Sequence, residues 1–184
     1  MLLSIQQRYI LEALRKLRCV RISQMLILTR EEFRPKGIEI SQRRMDAMLH
    51  QLRSFNNDIR TDGELVYLAG VRPDSRRLEA VDVMLELTGG APASFGCSGA
   101  SPPFLLRFSV KGVEERCFTV GTLLGTGKEP LLWLERVGPG RVIWISDSGA
   151  PPDGLSLASN HFFAARQAGG THRFYGSSDP SREP

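Results

Sequence analysis

The sequence has few cysteines, no long apolar run and no complete catalytic motif, and each absence excludes a class of protein. The three cysteines, Cys19, Cys97 and Cys117, are far apart, which fits neither a disulfide framework nor a CxxC metal site. We therefore expect each to be a small buried side chain in a reducing compartment. No apolar run approaches the roughly 20 residues of a membrane helix. Polar residues follow the first three residues at once, so we expect a cytoplasmic protein without a secretory leader or a membrane partner.

Segments that come close to catalytic or phosphate-binding motifs all depart from them. In residues 121–128 the glycines are one residue too far apart for GxxxxGK, and Glu129 stands where Ser or Thr would bind magnesium. Ser98 lacks the G-x-S-x-G spacing of a nucleophile elbow. The histidines are isolated and form no metal-binding pattern: His50, His161 and His172. We predict no catalytic residue, no metal site, no cofactor and no enzymatic activity.

The charge is distributed unevenly along the chain. Residues 1–73 contain 13 Lys and Arg against 8 Asp and Glu, whereas residues 74–184 contain 11 against 12. The net charge of +4 therefore resides in the first segment, as a surface that binds phosphates would require. Hydrophobic residues make up 41% of the chain, which is typical of a domain with a packed core.

A cationic amphipathic helix is predicted from Ser41 to Phe55. Ser41 is a favourable N-cap, since its hydroxyl can accept from the first free backbone N–H groups. The apolar residues recur at helical spacing and form one stripe: Met45, Met48, Leu49, Leu52 and Phe55. The opposite face is polar and mostly basic or neutral: Arg43, Ala47, His50 and Ser54, flanked by Arg44, Asp46 and Gln51.

A β-hairpin is predicted directly after this helix. The runs 59–61 and 64–68 flank Asp62-Gly63, which predicts a type I′ turn with these two residues at its centre. Upstream, apolar periodicity predicts helices at 4–18 and 22–29, with a short extended piece at 19–21. Pro35 and Gly37 interrupt the helical pattern before Ser41.

This order of helix, helix, loop, helix and hairpin over residues 4–70 resembles the winged helix-turn-helix superfamily. The resemblance implies that the third helix enters the major groove of duplex DNA and that the hairpin is the wing. It places these residues on the recognition helix: Gln42, Arg43, Arg44, Ala47, His50 and Gln51. Arginine can bind guanine bidentately and glutamine can bind adenine. Arg53 and Arg60 are better suited to phosphate contacts. The alternative is a protein-binding module with a solvated basic face.

After a linker at residues 71–75, residues 76–175 are predicted to form a small α/β domain with a mixed sheet. The whole chain is then α+β, with residues 1–70 as the winged helix-turn-helix and 176–184 as a disordered tail. Small residues, Gly and Pro predict a loop at 88–103. The predicted order in the second domain is helix 76–87, strands 104–110 and 116–120, helix 129–137, strand 141–146, helix 156–167 and strand 172–175.

This second order is similar to the nuclease-like domain that follows a winged helix in plasmid replication-relaxation-type proteins. Active nucleases of that fold hold a divalent metal with a carboxylate and an E-x-K triplet. The candidate strands contain neither, and Asp147 lies just beyond one of them. We therefore expect a degenerate, non-catalytic domain that forms a homodimer or contacts a protein partner. The function predicted is sequence-dependent DNA binding by a regulator of transcription or of plasmid or mobile-element replication or transfer. A protein-interaction adaptor is the alternative.

Overall fold

The computed structural model describes residues 2–97, 102–112, 114–125, 127–133 and 140–176. Within these ranges the chain is α+β, as predicted, with the long helices preceding a large sheet. The α-helices are α1 (Ile5–Leu17), α2 (Ile22–Phe33), α3 (Gln42–Phe55), α4 (Ser75–Thr88) and α5 (Glu129–Leu132). The strands are β1 (Cys19–Arg21), β2 (Ile59–Asp62), β3 (Leu65–Leu68), β4 (Ser94–Cys97), β5 (Phe104–Val110), β6 (Arg116–Thr122), β7 (Arg141–Ile145), β8 (His161–Arg166) and β9 (His172–Gly176). None of the described helices has the length and apolar character to cross a bilayer.

Side-chain caps begin three of the helices, and the cap predicted at Ser41 is confirmed. The Ser4 hydroxyl accepts from the Gln7 N–H at 3.1 Å, and the Gln7 side chain accepts from the Ser4 N–H in return. The Ser41 hydroxyl accepts from the Arg44 N–H at 3.2 Å and starts α3. Asp74 caps α4 in the same manner. These caps satisfy backbone donors that would otherwise lack partners at the helix ends.

The small sheet has the order β1-β3-β2, and both of its pairs are antiparallel. Its hairpin turn lies one residue beyond the predicted position. Asp62 pairs with Leu65, which leaves Gly63 and Glu64 as the central residues. Gly63 has a φ of 54°, whereas Glu64 has no positive φ. The predicted type I′ turn on Asp62-Gly63 is therefore wrong, and a turn with glycine in the first central position connects the strands.

Two predictions about the first-half helices are also wrong. α2 continues past residue 29 to Phe33, whose buried ring packs edge-on against Tyr9 with 5.7 Å between ring centroids. Phe55, which was assigned to the apolar stripe of α3, is 61% exposed. It is the last residue of α3 and follows Leu52, the final member of the stripe that packs into the core.

The large sheet has the order β4-β5-β6-β7-β8-β9. The pairs β6–β7 and β7–β8 are parallel, and the other three are antiparallel. The helix predicted at 156–167 is wrong, because β8 occupies its second half. Its alanines favour a helix locally, but two neighbouring strands bind its backbone and completely bury Phe163 and Ala164. β4 likewise lies inside the segment predicted as a loop at 88–103, where it pairs with β5.

The hydrophobic core continues from the helices into the large sheet. α4 packs against α2 and β1 on one side and against β5 on another, consistent with its wide apolar surface. One buried cluster contains Leu14 of α1, Met84 of α4 and Phe108 of β5. A second cluster around Trp144 and Phe163 covers the other face of the sheet. The domain boundary at residues 71–75 stays a prediction.

The prediction that all three cysteines are buried is confirmed only for Cys19. Cys97 is half-buried, and Cys117 is exposed near the start of β6.

Three other predictions fall partly or wholly outside the described residues. Gly176 belongs to β9, and the rest of the predicted tail, 177–184, lies outside the described residues. Ser98 lies outside them as well. Of the helix predicted at 129–137, α5 covers the first turn, and residues 134–137 lie outside the described residues.

His172 connects β9 to α4 and is not the isolated histidine that its sequence context indicates. Its side chain is fully buried, with Nδ1 2.9 Å from Glu86 Oε1 and Nε2 3.3 Å from Glu79 Oε1. Arg166 of β8 also pairs with Glu79 at 3.3 Å. Burial lowers the pKa of His172, but the hydrogen bonds to Glu79 and Glu86 outweigh burial and raise the pKa above its ordinary value of 6.5.

The protonated form of His172 should therefore stabilise the fold. Because its pKa is raised in the folded state, this stabilisation is complete below the unfolded-state pKa and is lost as the pH rises through the folded-state pKa. We expect the difference in unfolding free energy between wild type and His172→Asn to shrink from about pH 6 to about pH 8 in urea titrations. The exposed His50→Asn is the control. A His172→Asn difference that is the same at every pH would contradict the charged contact.

Candidate nucleic-acid interface

α3 separates a buried side from an exposed side. Its buried residues are at most 7% exposed and pack into the core: Met45, Met48, Leu49 and Leu52. All eight residues predicted to contact DNA are exposed: Gln42, Arg43, Arg44, Ala47, His50, Gln51 and Arg53 on α3, and Arg60 on β2. The structure thus brings the predicted residues onto one helix and the strand that follows it.

The first turn of α3 presents two arginines to solvent. Arg43 has no hydrogen bond or ion pair with any described residue. Arg44 donates from Nη1 to the carbonyl of Glu39 at 3.2 Å, a single bond that leaves its other donors available. Gln42 donates from Nε2 to Asp46 Oδ1 at 2.8 Å. This amide is neutral, and Asp46 forms no ion pair with a described residue, so it keeps a negative charge on the exposed side of α3.

A shallow groove lies between the second half of α3 and β2. Its lining is polar or basic apart from one isoleucine: His50, Arg53, Ser54, Ile59, Arg60 and Thr61. Arg60 donates from Nη1 to the carbonyls of Asn57 at 2.7 Å and Ile59 at 3.3 Å, which holds its guanidinium at the base of the hairpin. Arg53 has no partner among the described residues. The groove therefore presents two positive charges from different elements.

Gln51 is less available for base contacts than its exposure indicates. The buried Gln7 of α1 donates from Nε2 to Gln51 Oε1 at 2.8 Å. A bidentate contact with adenine needs both the oxygen and the nitrogen of the amide. Gln51 must share or give up its bond to Gln7 to make that contact. The two residues are 44 positions apart, so no local sequence signal indicates their contact.

The hairpin and the residue before it carry more negative than positive charge. Asp58, Asp62 and Glu64 are exposed and form no ion pair with a described residue, whereas Arg60 is the basic residue of β2 and β3. Carboxylates at these positions repel phosphate groups. Three acids within seven residues are visible in the sequence and count against phosphate contacts by the tip of the hairpin.

The second half shows no arrangement of metal ligands among the described residues. Asp147 follows β7 as predicted, and its carboxylate accepts from Arg76 Nε at 2.6 Å and Nη2 at 2.5 Å. The hydrogen bonds from Arg76 hold the pKa of Asp147 below its ordinary value. The glycine-containing segment 121–128 begins inside β6, and its residue Thr126 lies outside the described residues.

Comparisons of this chain with models of known families, with curated proteins and with solved structures found no match. The resemblance to winged helix-turn-helix proteins therefore depends on the order of elements, on Arg43 and Arg44 at the start of α3, and on the hairpin that follows.

Gly63→Ala should destabilise the hairpin that carries Arg60. A Cβ on Gly63 would meet no atom within 4 Å, but its φ of 54° is unfavourable for alanine by about 1 kcal/mol. Gly96→Ala is a matched control, because its Cβ also meets nothing and its φ is not in the left-handed region. Urea unfolding should show the loss for Gly63→Ala alone. Equal unfolding free energies for the two variants would contradict the turn geometry.

Proposed function

We propose that residues 4–70 form a winged helix-turn-helix that binds duplex DNA, with α3 as the recognition helix and the β2–β3 hairpin as the wing. The observation that supports this most strongly is the exposed face of α3. It combines two arginines in its first turn with Arg53 near its end, and none of the three has an ion pair with a described residue. The β2–β3 hairpin follows the three helices and also pairs with β1 in a small antiparallel sheet, which suits the role of a wing.

The dimensions of α3 suit the major groove. Its 14 residues span about 21 Å, and a helix with its side chains is about 10–12 Å wide, close to the width of the groove. Arg43 and Arg44 lie in the first turn, from which side chains reach base edges in this superfamily. Ala47 presents a methyl group that suits contact with a thymine methyl. We assign base recognition to this half of α3.

Phosphate contacts belong to the groove at the other end of α3. Arg53 and Arg60 come from the helix and the hairpin and line one concave surface together with His50. Such a surface can accept one strand of the duplex backbone. Phosphate contacts position the protein without reading sequence. The repulsive carboxylates of Asp62 and Glu64 argue that the tip of the wing points away from the backbone, unlike wings whose tips contact phosphates.

The wider role that we propose is non-catalytic regulation of transcription, or of plasmid or mobile-element replication or transfer, in the cytoplasm. A homodimer formed through the second half of the chain would present two recognition helices to a duplex. Sedimentation equilibrium at micromolar protein concentration measures whether this dimer exists. A monomer at that concentration would assign the second half another role.

Duplex affinity should fall steeply with salt, because each neutralised phosphate contributes about −0.9 to the slope of log K against log salt. Fluorescence anisotropy on a duplex selected from a random pool measures this slope. Arg53→Ala and Arg60→Ala should each reduce the slope by about 0.9 and weaken binding to all sequences. The exposed Arg116→Ala at the start of β6 removes the same charge and should leave the slope unchanged.

Arg43→Ala and Arg44→Ala should instead weaken binding to the selected duplex by about 1–3 kcal/mol each and relax base preference. Competition between the selected duplex and a scrambled one separates the two effects. Equal losses on both duplexes would assign these arginines to phosphates. The absence of salt-sensitive binding to any duplex at low ionic strength would refute the proposed function.

The double substitution of Asp62→Asn with Glu64→Gln should strengthen duplex binding, because it removes two negative charges from the wing and keeps the shapes of the side chains. The effect should decrease as salt rises, since exposed charges are screened over about 10 Å at 0.1 M salt. The double substitution of Glu114→Gln with Asp153→Asn, at two exposed acids in the second half of the chain, is the charge-matched control. Weaker binding by the wing variant would show that these acids make favourable contacts, for example with base amino groups.

A second candidate function is binding of a protein partner by the same face. The exposed ring of Phe55, at the end of α3, favours this alternative, because aromatic side chains are enriched at protein–protein interfaces. Phe55→Ser should leave duplex affinity unchanged if α3 binds DNA through its arginines. A partner captured through Phe55 and insensitive to Arg43→Ala would support the adaptor instead.

A further inference from the structure

A second basic surface lies where the first half of the chain meets α4. Residues 70–77 form a concave surface together with the end of α1. Four guanidinium groups line it: Arg18, the residue that caps the end of α1, Arg72 from the connecting segment, and Arg76 and Arg77 from the first turn of α4. We call this surface the arginine cleft. None of its residues belongs to the DNA interface proposed above.

The positive charge of the arginine cleft is only partly compensated. Arg76 is paired with Asp147, but Arg18, Arg72 and Arg77 form no ion pair with any described residue. The carboxylate of Asp74 also lines the cleft, where it accepts from the backbone N–H of Arg76 at 3.0 Å as the helix cap. The three remaining arginines therefore leave an excess of positive charge in the cleft.

Arg77 contributes a guanidinium group whose hydrogen bonds are incomplete. Its Nε is buried and has no hydrogen-bond acceptor among the described residues, and the residue as a whole is partly exposed. A buried donor without an acceptor is unfavourable, because it has lost its hydrogen bonds to water. The guanidinium groups of Arg18, Arg72 and Arg77 line one concave surface and also repel one another. An anion bound among them would relieve this repulsion.

We propose that the arginine cleft binds a phosphate group. Guanidinium donors match phosphate oxygens in a bidentate geometry, and several of them can surround one tetrahedral anion. Two sources have this chemistry: a backbone phosphate of a bound duplex, or a free molecule that contains phosphate. The first source rests on the proposed DNA binding, whereas the second does not.

Inorganic pyrophosphate is the probe for the site itself, with binding measured by isothermal titration calorimetry on the full chain. Arg72→Gln should weaken pyrophosphate binding about tenfold, the loss expected for one charge-assisted contact. Arg15→Gln is the matched control, because Arg15 is also exposed on the last turn of α1 but does not line the cleft. Equal affinities for wild type and Arg72→Gln would overturn the proposal.

Arg18→Gly separates loss of the site from damage to the fold. Arg18 has a φ of 69°, a conformation that glycine adopts more readily than arginine. The variant should unfold at the same or a higher urea concentration than wild type and still bind pyrophosphate about tenfold more weakly. A variant that is at least as stable and binds pyrophosphate as wild type does would also overturn the proposal.

Duplex titrations with the same variants identify the source of the phosphate. A salt slope that falls by about 0.9 in Arg72→Gln, with Arg15→Gln unchanged, would assign the cleft to the DNA backbone. An unchanged slope, together with weaker pyrophosphate binding, would assign it to a free phosphate-containing molecule. The pyrophosphate measurement does not depend on DNA binding, so failure of either proposal can be recognised separately.

Discussion

The fold depends on α4 being held by polar contacts on both of its sides. Towards the first half, Asp82 accepts from Arg21 at 2.7 Å and from Gln24 at 2.6 Å. Towards the large sheet, Glu86 holds His172 of β9 at 2.9 Å. These charged groups are partly or fully buried, so loss of one partner would leave another charge without compensation. The contacts fix the orientation of α4 between the helices and the sheet. Hydrophobic burial alone specifies this orientation less strictly, because it is not directional.

α1 positions α3, and two arginines of α3, Arg43 and Arg53, make no side-chain contact that stabilises the described structure. α1 contacts α3 through Gln7 and apolar residues, and it contacts β4 where the Cys97 thiol donates to the Leu17 carbonyl at 3.2 Å. Arg43 and Arg53 contribute to none of these contacts. A DNA-binding helix needs one side packed into the core, which holds it in place, and an exposed basic side whose charges are available to the duplex. α3 has both.

The sequence predicted local features well and contacts between distant segments poorly. The caps at Ser41 and Asp74 and the exposed face of α3 follow from residue type and helical spacing. The strand β8 could not be predicted in this way, because its alanines favour a helix and only its pairing with two neighbouring strands makes it a strand. The burial of His172 also has no local sequence signal, since its partners Glu79 and Glu86 lie more than 80 residues earlier in the chain. The hairpin turn was misplaced because Asp-Gly indicates a turn without specifying its register.

The central claim is that a duplex docks on the exposed side of α3. Backbone amide chemical shifts, recorded by NMR while a selected duplex is added, test it most directly. We predict that shifts concentrate in residues 42–47 and in the groove that contains Arg53 and Arg60, with little change at the wing tip around Gly63 or in β5. Shifts confined to the large sheet, with α3 unaffected, would contradict the assignment of α3 as the recognition helix.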